Sequence, residues 1–108
     1  MKQNNLMKHS IAIPCFNEEM TLERCLQNVL DIQNETLSLE IIIVDDCSTD
    51  NSLKLAEKFS DKLDEVTVLH HERNRGKGAA LQTGFQHATG QIVAIQDADT
   101  VLKNSVEP

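Results

Sequence analysis

Short β-branched runs alternate along the chain with longer stretches in which apolar residues recur at helical spacing. Residues 10–13 (SIAI), closed by Pro14, predict a first strand. Met20, Leu22, Cys25, Leu26, Val29 and Leu30 follow at the intervals of one helix face. Asn17 or Thr21 can cap that helix, with Glu18, Glu19 and Glu23 near its positive end. Residues 39–44 (LEIIIV) are almost continuously apolar, as strands buried on both faces of a parallel sheet are. Ser48, Thr49 and Asp50 supply caps for a second helix carrying Leu53, Leu55, Ala56 and Phe59. Residues 66–69 predict a third strand, and the polar HHERNRGKG a loop. A third helix over about 77–88 offers Ala80, Leu81, Gly84, Phe85 and Ala88 for packing, and Thr89-Gly90 ends it. Residues 91–96 predict a fourth strand.

The order βαβαβαβ predicts an α/β fold, a three-layer αβα arrangement on a parallel sheet, because right-handed crossovers place helices on both faces. Ligands on such sheets bind beyond the C-terminal strand ends, where the strand order reverses. With order 3-2-1-4, the crevice lies between the ends of strands 1 and 4. Those ends are residues 14–18 (PCFNE) and 97–99 (DAD), and strand 2 ends nearby in Asp45-Asp46. Residues 1–9 read as an N-terminal tail and 10–108 as one small domain.

Composition narrows the partners. A net charge of −7, no Trp or Tyr and only three Phe argue against nucleic acid, which needs a basic surface and stacking platforms. Cys15, Cys25 and Cys47 are odd in number and widely spaced, so a reducing cytoplasmic setting fits better than a disulfide framework. The longest apolar runs are four residues, and the N-terminus lacks a signal-peptide core. The four His show no zinc-ligand spacing, and His70-His71 reads as a surface pair at a strand end.

Three groups could carry chemistry. Asp97 and Asp99, at i and i+2 of an extended segment, point the same way roughly 6.6 Å apart. They could share one Mg²⁺ or Mn²⁺, whose other positions phosphate and water would fill. A capping pair at the start of a loop has the same spacing. Of the adjacent Asp45 and Asp46, one can brace the loop while the other accepts from a base edge, the imide of uracil or the N1–H of guanine. Both acting as turn residues is equally open. Arg73, Arg75 and Lys77 form a cationic cluster, with Gly76 and Gly78, at the start of the third helix. An anion at a helix N-terminus and a solvated basic loop both fit it. Neither a Walker A loop nor the dinucleotide G-x-G-x-x-G occurs here.

Four segments in series, IAIPCFNEE, IIIVDDCSTDNS, NRGKGAALQTGF and ATGQIVAIQDAD, together resemble the N-terminal nucleotide-binding half of a family 2 glycosyltransferase of GT-A fold. The likeness covers about residues 10–99 and is nearest the dolichyl-phosphate mannosyl- and glucosyltransferase-like branch. It implies that Pro14, Phe16, Asn17 and Glu18 line the nucleotide pocket, and that Asp46 meets the base. It places Lys77 on the nucleotide, Asp97 and Ala98 by the ribose and metal, and Asp99 as main metal ligand. The implied reaction is inverting transfer of a sugar from a UDP- or GDP-linked donor to a hydroxyl or lipid phosphate, with Mg²⁺ or Mn²⁺. The likeness implies no catalytic residue among these 108 residues. The resemblance puts the general base and the acceptor half beyond Pro108, so the chain reads as truncated after the D-x-D strand. It leaves open a place at the cytoplasmic membrane face for a longer protein. An uncovered sheet edge would favour self-association. Two other readings stand beside it. One is a non-catalytic nucleotide-binding remnant. The other is a phospho-receiver domain, whose acidic pair belongs on the first strand rather than the second.

Overall fold

A computed structural model describes residues 7–31, 37–90 and 92–95. The elements run β1 (Met7–Cys15), α1 (Leu22–Leu30), β2 (Leu37–Asp45), α2 (Ser52–Lys62), β3 (Val66–His70), α3 (Lys77–His87) and β4 (Ile92–Ile95). All pairings are parallel, as the alternation predicts, and the order is β3-β2-β1-β4. Ile11 pairs with Ile41, Ile41 with Val66, and Ala12 with Ile95.

The period-2 alternation of strand side chains divides the core in two. Ile11, Ile13 and Cys15 of β1 and Leu39, Ile41 and Ile43 of β2 face Leu22, Cys25, Leu26 and Val29 of α1 and Ala56 of α2. The opposite parity, Ile42 and Val44, faces Ala80 of α3. Each fully buried Leu or Ile contributes about 1.5–3 kcal/mol. The α3 side is thin and made of small residues. A Cβ on Gly84 would stand 3.0 Å from the Cβ of Ala12, so the helix lies almost directly on the sheet.

Several boundaries and caps differ from the sequence-based expectation. β1 begins at Met7, inside the segment expected to be a tail, and continues through Pro14. The Cys15 carbonyl accepts from the Asp46 N–H, so Cys15 faces β2. Pro14 must then face the other way, where the last described pair with β4 is that of Ala12, and its missing N–H removes no described rung. Met20 is 89% exposed and lies outside the buried stripe of α1. Neither Thr21, at the cap position of α1, nor Asn51, at that of α2, makes a side-chain capping bond. Gly90 takes no left-handed cap. It lies so close to β1 that its N–H donates to Ser10 Oγ at 2.7 Å, and a Cβ there would meet the Lys8 carbonyl at 2.7 Å.

Candidate functional site

The C-terminal ends of β1, β2 and β3 form a rim held by side chains that bond to backbone. Asp45 is fully buried and accepts from the Ser48 N–H (3.0 Å) and the Ser48 hydroxyl (2.6 Å). That hydroxyl oxygen accepts in turn from the Asn17 N–H at 2.9 Å. Ser52 Oγ accepts from the Glu18 N–H at 2.7 Å, and Asp50 from the Glu19 N–H at 3.3 Å. In the other direction, Asn17 Oδ1 accepts from the Thr49 and Asp50 N–H groups at 2.7 and 3.3 Å, and Glu19 Oε1 from the Asn51 N–H at 2.8 Å. The two loops thus clamp one another. Asn17 (φ 54°) and Cys47 (φ 66°) take left-handed backbone, which costs a non-glycine residue about 1–2 kcal/mol and which Asn tolerates best.

Asp46 is 3% exposed. Its Oδ1 accepts from His71 Nδ1 (2.8 Å) and the Arg75 N–H (2.9 Å), and its Oδ2 from the Gly76 N–H (2.8 Å). Burial pushes its carboxyl upward, but the His71 bond and the two N–H groups outweigh that and hold it below the ordinary carboxylate range. The carboxylate of Asp46, the residue expected at the base edge, thereby braces the loop between β3 and α3. Gly76 enters α3 at φ 95°, a conformation that favours glycine. Asp50 is likewise held low, its burial outweighed by bonds from Ser52 and the Glu19 N–H. Burial pushes the Cys15 thiol up to about 12 against a bond with Ser52, and Asp45, Glu18 and Asp50 push the same way.

The other expected residues divide by place. Phe16 is 43% exposed on the rim, whereas Pro14 is buried within β1. Asn17 serves the clamp, half-buried Glu18 accepts from the Thr21 hydroxyl at 3.3 Å, and exposed Lys77 opens α3. Arg73 and Arg75 line an open concavity with His70, His71 and Glu72. Asp97, Ala98 and Asp99 lie outside the described residues. Among the described residues, no group of three His, Cys, Asp or Glu could hold a metal ion.

His71 departs from its expectation as a surface residue. It is 6% exposed, and its Nε2 meets Thr83 Oγ1 at 2.8 Å. The signal was present in the strand's alternation. Leu69 packs toward α3, so residue 71 points there too. The holding roles of Ser48 and Ser52 had no such sign, since polar residues in a loop look alike until the loops meet. Among the described residues, no helix is long and apolar enough to cross a membrane.

Comparison with known proteins places the chain in a family. The chain is 31% identical over 102 residues to a dolichyl-phosphate beta-glucosyltransferase, ALG5D, of Trichomonas vaginalis, covering 89% of this chain and 31% of the relative. The structure of S. aureus TarS 1-349 in complex with UDP superposes with a TM-score of 0.76 at 33% identity, over 86% of this chain and 28% of that one. The mannosyltransferase PcManGT from Pyrobaculum calidifontis, in complex with GDP-Man and Mn²⁺, gives 0.73 at 33% identity, over 84% and 27%. The chain spans about a third of the length of the curated relatives it matches. The sequence model described as "Glycosyl transferase family 2" matches residues 10–106, nearly the whole chain, and the protein therefore belongs to that family.

Proposed function

We propose that this chain supplies the donor site of a metal-dependent, inverting glycosyltransferase, one that moves a sugar from a UDP- or GDP-linked donor to a hydroxyl or lipid-phosphate acceptor. The supporting observation is the position of β4. It pairs with β1 at the point where the strand order reverses, and its described part ends at Ile95, two residues before Asp97. A similar fold in PcManGT carries GDP-Man and Mn²⁺, and one in TarS carries UDP.

In this reading the exposed ring of Phe16 lies beside the base, with Asn17 and Glu18 on the same wall. Lys77 and the N-terminus of α3 face the negative charge of the nucleotide. Asp46 acts on the base through the loop it braces. Asp97 and Asp99 offer the hard oxygen donors that suit Mg²⁺ or Mn²⁺. A metal bound there would stabilise charge on the departing diphosphate.

Calorimetric titration of UDP and GDP into the chain tests the reading. One of the two should bind in Mn²⁺ or Mg²⁺. EDTA or Asp99→Ala should weaken that binding at least about tenfold, ~1.4 kcal/mol. Absence of binding by both nucleotides with metal present refutes it.

A further inference from the structure

Arg73, Arg75 and Lys77 can meet a nucleotide only if the backbone between β3 and α3 keeps one shape. That backbone has few supports of its own. Residues 71–76 contain no regular structure, and Gly76 adds conformational freedom. Among the described residues its ties run inward, mainly to Asp46, with the Cys47 thiol donating to the Glu72 carbonyl at 3.5 Å. The Asp46 carboxylate accepts from the Arg75 and Gly76 N–H groups, and Asn74 Nδ2 donates to the Asp46 carbonyl at 3.4 Å.

Asp46 in turn is oriented by His71. The His71 N–H donates to the Asp45 carbonyl at 2.9 Å, which fixes the residue's backbone beside β2. Its ring spans the gap from Asp46 Oδ1 to Thr83 Oγ1, both contacts at 2.8 Å. Asp46, held as a carboxylate, accepts from Nδ1, and Nε2 pairs with the Thr83 hydroxyl, which also lies 3.0 Å from the Ala79 carbonyl. The ring therefore bridges the end of β2 and the second turn of α3.

We infer that His71 is a positioning residue for the nucleotide. It fixes the Asp46 carboxylate, and through it the backbone of residues 75–76 that presents the basic side chains. The inference rests on the donor-site reading above. It adds a residue that touches no ligand yet sets how tightly the ligand is held.

Two substitutions separate the two halves of the ring's job. His71→Asn keeps an N–H donor near the place of Nδ1, toward Asp46. His71→Gln keeps one near Nε2, toward Thr83. The readouts are amide exchange of Arg75 and Gly76 without nucleotide, affinity for UDP with Mn²⁺, and thermal midpoint. His71→Asn should leave exchange and affinity within about threefold of wild type. His71→Gln should speed exchange and weaken UDP at least about tenfold, the scale of one hydrogen bond to a charged group. Equal losses in both variants, in proportion to their midpoints, overturn the assignment. Should neither variant fold, the ¹⁵N spectrum of the wild-type imidazole decides. A proton on His71 Nδ1 supports the assignment, and a bare Nδ1 overturns it. Failure of the wild type to bind UDP or GDP counts against the donor site. The exchange data, which need no nucleotide, still judge His71.

Discussion

Replacing Gly90 by Ala should cost far more than a methyl group on a turn usually does. The added Cβ would stand 2.6 Å from Ser10 Oγ, 2.7 Å from the Lys8 carbonyl and 2.7 Å from the Ser10 N. Two of these are backbone atoms of a central strand, which cannot swing aside. The turn must lift instead. Lifting breaks the bond from the Gly90 N–H to Ser10 Oγ and strains the one from the Thr89 N–H to Glu40 Oε1, at 2.7 and 2.8 Å. Overpacking costs about 1–3 kcal/mol, and each weakened bond about 0.5–1.5 kcal/mol. The sum is a loss of about 2–6 kcal/mol. With a urea m value of about 1.5–2 kcal/mol/M, the midpoint should fall by about 1–4 M. Gly78→Ala is the control. A Cβ there meets nothing within 4 Å, in the first turn of a helix, so the same substitution should raise stability by up to about 1 kcal/mol. A Gly90→Ala midpoint within about 0.3 M of wild type, or two shifts of the same sign, would refute the packing argument.

Asn17→Gly keeps the left-handed backbone accessible but removes the acceptor for the Thr49 and Asp50 N–H groups. Urea melts should show a loss of about 1–2 kcal/mol, and an unchanged midpoint would mean water replaces the clamp. Glu40 is depressed below its ordinary value, burial being outweighed by bonds from Ser10 and Thr89. Together with Asp46 and Asp50 it contributes stability that is complete above the unfolded carboxylate values, near 4, and is lost as pH falls through the folded ones. Melting from pH 7 to 2 should show Glu40→Gln with a shallower acid limb, and an identical limb contradicts the assignment. Cys15, pushed up to about 12 by burial, should resist iodoacetamide at pH 8 in the native state, while partly exposed Cys47 is labelled. Mass spectrometry finding equal labelling would contradict this.

Much of the fold was legible because its determinants are local or periodic. The LEIIIV run has apolar residues at both parities, which is what a central strand with helices on each face requires. The parallel sheet followed from the alternation of strands and helices, whereas the place of β4 beside β1 came with the family resemblance and not from periodicity. The strand ends were less legible. β1 gains Met7–His9 because β2 and β4 lie alongside to pair with it, a condition set by tertiary structure. The rim divides in the same way. Its location followed from the ends of the strands, but the partners of Asp46 did not. A carboxylate at a strand end can serve a ligand or a neighbouring loop, and the choice depends on where residues 75–76 arrive in space. Met20 misled for a simpler reason. It falls on the helical spacing but precedes the first helical turn, where that spacing no longer predicts burial.

The rim separates holding from touching. The groups that fix its backbone, Asp45, Asp46, Ser48, Asp50 and Ser52, are buried or half-buried and bond to main-chain N–H groups. The side chains that face outward, Phe16, Arg73, Arg75 and Lys77, belong to residues whose backbone is supported from below or begins a helix. Main-chain ties do not depend on which side chain the residue carries. Outward positions can therefore be exchanged over evolutionary time while the loops keep their course. One scaffold can then change what its rim contacts by surface substitution alone.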